Sequence, residues 1–141
     1  MRQALDDLLC QRYPEIFCNR YASPVESGMH WGFTCGDGWF DLINSLCAAI
    51  SAKVTAGTSP PVVAREVKEK FGRLRFRFRG GNEEIRYLVS IAENLSEMTC
   101  ELCGNDKATY VRVNLGVLCP KCLAHLASPS FEGATREGKN P

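Results

Sequence analysis

No stretch of this sequence is apolar over anything near the ~20 residues that cross a bilayer. There is no charged leader followed by an apolar core, so no secretory signal is expected. The expected compartment is therefore a reducing cytoplasm, with no membrane partner. An excess of one charge is also missing. The 17 Lys and Arg against 16 Asp and Glu leave a formal +1, which by itself does not call for nucleic acid. Histidine is scarce: His30 and His125 are the only two. There is no phosphate-cradling glycine loop, no internal repeat and no low-complexity tract. Any chemistry must come from local clusters.

What is present is cysteine, eight in 141 residues. In a reducing compartment these read as thiols and metal ligands rather than disulfides. Four of them form two pairs, Cys100-x2-Cys103 and Cys119-x2-Cys122, fifteen residues apart. That is the spacing of a four-thiolate zinc site. Two tight Cys turns facing each other supply four soft ligands at tetrahedral corners. With four thiolates the coordination sphere is closed to water, so Zn2+ here is expected to be structural. Gly104 suits the positive φ of a knuckle, and Pro120 stiffens the second turn. The module is a zinc ribbon, or a treble clef if the second pair opens a helix. His125, three residues past Cys122, is a conceivable substitute ligand. Cys10, Cys18, Cys35 and Cys47 lack paired spacing. Cys47 reads as a small buried apolar residue, and Cys18, Cys35 and His30 are an alternative second metal site.

Hydrophobic periodicity places a short helix over 2–12, with Leu5, Leu8 and Leu9 on one stripe. Residues 29–34 favour a strand or extended segment, and Asp37 is a candidate N-cap for a core helix over 38–53. Strands are expected over 62–68 and 73–79, joined at Phe71-Gly72. Asn82 caps a helix over 83–97. Residues 108–113 and 117–118 make a small hairpin around Asn114-Leu115-Gly116, and 123–127 starts a short helix. The fold class is α+β: two main helices on a small antiparallel sheet, with the zinc module at the C-terminal end. The domain reading is 1–98 for the α+β part, 99–127 for the zinc module and 128–141 for a flexible tail.

The second strand alternates without fault. Leu74, Phe76 and Phe78 face the core, while Arg73, Arg75, Arg77 and Arg79 project from the other side. Lys68 and Lys70 lie just before them. Guanidinium forks suit phosphates and carboxylates, so this stripe fits a nucleic-acid backbone or an acidic protein surface. The bland alternative is a solvated face paired with Glu66, Glu69, Glu83 or Glu84. Trp31, Phe33, Trp39 and Phe40 read as core anchors, or else as a stacking surface.

A search for an active site finds little. His30, Cys35 and Asp37 can be drawn as a grouping, but Gly36-Asp37-Gly38 reads more simply as a turn and cap. A nuclease of the HNH type would carry a histidine on the zinc hairpin, and this one carries Asn114. No catalysis is expected.

Four strings carry a resemblance: Trp31-Gly-Phe-Thr-Cys-Gly-Asp-Gly-Trp-Phe-Asp-Leu-Ile43, Val67-Lys-Glu-Lys-Phe-Gly-Arg-Leu-Arg-Phe76, Ala92-Glu-Asn-Leu-Ser96 and Thr99-Cys-Glu-Leu-Cys-Gly104. Together they resemble a group of small, largely uncharacterised bacterial and phage or prophage proteins with a C-terminal zinc knuckle. The likeness runs from about Tyr13 to Cys122 and implies one integrated unit. It carries over no residue roles beyond the four metal cysteines. A phage setting implies a host-directed binder, including an inhibitor of a host defence nuclease such as a CRISPR effector. The expected function is non-enzymatic binding of a host protein or nucleic acid through Arg73, Arg75, Arg77 and Arg79, assisted by Lys68 and Lys70.

Overall fold

A computed structural model describes residues 1–111 and 116–128. Its elements run α1 (Gln3–Arg12), β1 (Phe33–Thr34), α2 (Phe40–Thr55), β2 (Val62–Lys70), β3 (Arg73–Gly80), α3 (Glu83–Ser96), β4 (Thr109–Val111), β5 (Gly116–Leu118) and α4 (Pro120–Leu126). The class is α+β. One sheet has the order β1-β2-β3, with β2 and β3 antiparallel and the short β1 alongside β2 in parallel. β4 and β5 pair antiparallel as a separate hairpin. No helix among the described residues is long and apolar enough to cross a membrane.

Periodicity explains most of this. Ile43, Leu46, Cys47 and Ile50 of α2 fall at i, i+3, i+4 and i+7, one face of the helix, and all are buried. The helix stops in a Schellman arrangement. Gly57, at φ +74°, donates to the Val54 carbonyl, and Thr58 donates to that of Lys53. α3 begins where the Asn82 side chain accepts from the Ile85 amide at 3.3 Å, with Glu83 and Glu84 against the positive end of the helix dipole.

The β2–β3 hairpin turns through Phe71 (φ 54°) and Gly72 (φ 81°), the double positive φ of a type I′ turn. A bulge at Arg65 lets Ala64 oppose Phe78 and Glu66 oppose Arg77. One extra residue reverses the side-chain phase of β2. Val62 and Ala64 face inward before the bulge, and Val67 does so after it.

Two local expectations fail. The 29–34 segment is not a strand: Gly28–Trp31 is a 3-10 turn, capped by the Ser27 hydroxyl accepting from Met29, and only Phe33–Thr34 pairs with β2. Gly32 at φ +71° makes the break between them. Asp37 caps no helix. It opens a second 3-10 turn over Asp37–Trp39, which leads into α2, and its carboxylate accepts from the Arg2 backbone amide at 2.8 Å. The aromatic string also divides. Phe33 and Trp39 are core and Phe40 is half-buried, whereas Trp31 is 68% exposed. The turn residues Asn114 and Leu115, and the tail beyond Ser128, lie outside the described residues.

An ion pair that local pattern does not reveal ties α1 to the loop after it. Arg20 donates through Nε to Asp6 Oδ1 at 2.8 Å and through Nη2 to Asp6 Oδ2 at 3.0 Å. Its remaining nitrogen donates to the His30 carbonyl at 3.2 Å.

Candidate metal centre and cationic face

The four paired cysteines converge. One sulfur from each of Cys100, Cys103, Cys119 and Cys122 lies within 4.8 Å of all the others. Cys103 and Cys119 sulfurs are 3.7 Å apart. A tetrahedron with Zn–S bonds of about 2.3 Å has edges of about 3.8 Å, so the donor set can hold a metal ion, and the size and softness of the cage fit zinc. The first pair sits on a knuckle. Gly104, at φ 81°, donates to the Cys100 carbonyl at 2.8 Å, and Cys100 donates to the Asn105 carbonyl at 2.7 Å. The second pair opens α4, with Cys119 at its N-cap, Pro120 at its first position and Cys122 in its first turn. The β4–β5 hairpin and the helix opened by the second pair fit the zinc ribbon or treble-clef module that the spacing left open.

The sulfurs share their protons unequally. Burial pushes the Cys100 thiol up, but backbone hydrogen bonds at Cys103, Cys119 and Leu102 outweigh it and bring the group down to about 7. Cys122 is pushed up to about 12 by burial and then by hydrogen bonds with its three neighbours. A dication among them inverts this arrangement, because coordinated thiols are deprotonated.

The knuckle docks against the loop that leads into α2. Gly38 donates to the Glu101 carbonyl at 2.8 Å, and Gly36 donates to the Glu101 carboxylate at 2.9 Å. The Trp39 indole donates to the Thr99 carbonyl at 2.8 Å. Glu101 in turn donates its backbone amide to the Val117 carbonyl of β5. The two glycines flanking Asp37 therefore seat the cysteine knuckle. Cys100, Val117, Leu118 and Cys119 belong to the same buried core as Trp39 and Ile43.

The alternative ligands are not gathered. Among the described residues the four cysteines form the only such cluster, and His125 stands outside it on α4. Cys18 is exposed and Cys35 buried, while the His30 ring nitrogen Nδ1 meets the Ala22 carbonyl at 2.9 Å. These three do not make a second site. Burial pushes the Cys35 thiol up to about 12, the reverse of what activates a nucleophile.

No family model, curated protein or solved structure matches this chain. The resemblance to phage and bacterial proteins thus rests on the quoted strings alone.

The arginines do share one face of the sheet with the lysines of β2. Arg73 stands opposite Lys70, Arg75 opposite Lys68, Arg77 opposite Glu66 and Arg79 opposite Val63. Two of these four pairs are like-charged, an arrangement that destabilises a sheet unless anions answer it. The anions come partly from elsewhere than expected. Glu66 pairs with Lys68 and, at 3.7 Å, with Arg77. Arg73 reaches α3 instead, with Nη1 on Glu97 at 3.0 Å, Nη2 on Asn94 at 2.9 Å and Glu93 at 3.7 Å. Glu69 accepts from the Gly72 amide, Glu84 pairs with Lys53 and Glu83 with Arg86, so these three do not neutralise the stripe. Among the described residues Arg75 and Arg79 have no acidic partner, and Lys70 lies only over the Phe71 ring.

Proposed function

We propose that this chain is a non-enzymatic binding protein, braced by structural zinc, whose cationic sheet face engages an anionic partner. The observation that carries the reading is the pair of stacked like-charge cross-strand pairs, Lys70–Arg73 and Lys68–Arg75, beside arginines without acids. Glu97 answers Arg73 and Glu66 answers Lys68, while Lys70, Arg75 and Arg79 keep charge that an external anion would satisfy. Zinc holds the knuckle and the α4 turn in register and takes no part in chemistry.

The resemblance supplies the first partner class, a host protein met by a phage-type, host-directed factor, which includes an inhibitor of a defence nuclease. The even pitch of arginines along β3, about 6.8 Å between alternate residues, favours the second, a nucleic-acid backbone. The test is affinity capture from a bacterial lysate, with and without nuclease, using the wild type and an Arg75→Glu/Arg79→Glu variant. A partner retained by the wild type and lost by the variant is expected. If the variant retains everything the wild type does, the sheet face is not the working surface.

A further inference from the structure

Phe71 sits in an unusual place for its residue type. It occupies the tip of the β2–β3 hairpin at φ 54°, where Asn or Gly fits and a phenylalanine is strained. It is also 82% exposed, so its ring gains little from burial. The turn does not need it: the Gly72 amide is satisfied by the Glu69 carboxylate at 2.7 Å. A side chain disfavoured by both conformation and solvent points to a role outside the folded chain.

What lies beside the ring says which role. The Lys70 ammonium is 5.6 Å from the ring centroid. Lys70 also lines an open groove of about 260 Å³ with Arg73, Arg75 and Glu93. Glu93 is committed inside the protein, accepting from the Phe76 amide at 3.0 Å and facing Arg73 at 3.7 Å. Arg73 is braced by Glu97 and Asn94, so its fork is held in place. Arg75 and Lys70 bring charge without an acidic partner among the described residues. An anion-seeking groove and an unburied aromatic face thus share one lysine.

We propose that this hairpin tip binds single-stranded nucleic acid. A phosphate lies in the groove among Lys70, Arg73 and Arg75, and the neighbouring base stacks on Phe71. Later phosphates follow Arg77 and Arg79 along β3. The proposal rests on the cationic-face reading above and narrows its ligand. A duplex keeps its bases stacked away from Phe71. A carboxylate surface fills the groove but leaves the ring without a function.

The test is fluorescence anisotropy with a labelled single strand of ~12 nucleotides, DNA and RNA in turn, on the zinc-loaded full chain. A duplex of equal length and heparin, a polyanion without bases, serve as competitors. Phe71→Asn is the first variant, because Asn suits the turn and thermal melting shows whether it folds. The single strand should outcompete the duplex. Phe71→Asn should weaken binding by about tenfold or more with the salt slope unchanged. Arg75→Gln should lower the salt slope by about one. Equal binding of heparin and single strand, with Phe71→Asn without effect, overturns base recognition and leaves a plain polyanion surface. Absence of all polyanion binding, with a protein still captured through Arg75 and Arg79, overturns this inference alone. Absence of both overturns the cationic-face reading as well.

Discussion

A β-carbon on Gly38 would lie 2.2 Å from the carbonyl oxygen of Cys100, a distance that real side chains do not reach. The same atom would meet the Gly104 amide nitrogen at 2.7 Å. Both obstacles are backbone of the metal knuckle, so neither can swing aside. Gly38→Ala should destabilise the zinc-loaded protein by about 1–3 kcal/mol and make it release zinc to a chelator at lower concentration. Gly57→Ala is the control, with open space around it and only a positive φ to disturb. Thermal melts and a competitive zinc titration compare the two. Equal behaviour would show that the knuckle does not rest on this loop.

Thiol reactivity should report both the metal cage and the core. Burial pushes Cys10 up to about 11 and Cys35 up to about 12, and moves Cys47 further in the same direction. Cys18 is exposed and lies away from the cluster. Titration of the zinc-loaded protein with a thiol–disulfide exchange reagent at pH 8 should show one fast thiol, Cys18. A chelator should release four more and denaturant the last three, out of eight in the chain. These raised values also fix a sign. The folded chain holds protons that the unfolded chain gives up above about 9. Their contribution to stability is therefore complete below that pH and is lost as pH rises through 11 to 12. A melting temperature that climbs over that range would contradict it.

Asp6 and Arg20 form a bidentate pair with side chains only 6% and 12% exposed. Removing one partner strands the other charge in the protein. Arg20→Met or Asp6→Asn alone should each cost about 3–5 kcal/mol. The double replacement should cost less than the sum, because neither charge is then left buried and unpaired. Chemical denaturation across this double-mutant cycle measures the coupling. Additive losses would mean that the pair does not act as a unit.

Ser96 is fully buried on α3, and its hydroxyl oxygen accepts from the Leu74 amide of β3 at 2.8 Å. Ser96→Ala leaves that amide without a partner and should cost about 1–3 kcal/mol. Hydrogen exchange at Leu74 should accelerate ahead of global unfolding. Unchanged protection at that amide would exclude the assignment.

The sequence showed the parts of this protein whose causes are local. α2 and α3 follow their apolar stripes, the hairpin follows its alternation and Phe71-Gly72, and the cysteine array follows its spacing. What it hid depends on chain brought from afar. Gly36 and Gly38 are conspicuous in the string, but their reason is Glu101 and Cys100, more than sixty positions later, so they read as a cap. Arg73 finds Glu93 and Glu97 only once α3 lies along β3, which no strand-level pattern contains. Residues 29–34 read as extended because aromatics suit strands, whereas Gly28–Trp31 forms a turn. The deciding features are the Ser27 hydroxyl and the positive φ of Gly32, both small signals beside Trp31 and Phe33.

The side chains of α3 lie along the outer margin of β3, where Ser96 and Glu93 occupy the Leu74 and Phe76 amides. At the opposite margin β1 is only two residues long. A visiting peptide therefore finds the Leu74 and Phe76 amides already taken, and strand addition along that part of β3 is closed. A partner of the proposed cationic face would be met there by side chains rather than by a lengthened ladder. Discrimination between visitors can then be retuned at single surface positions without disturbing the architecture beneath.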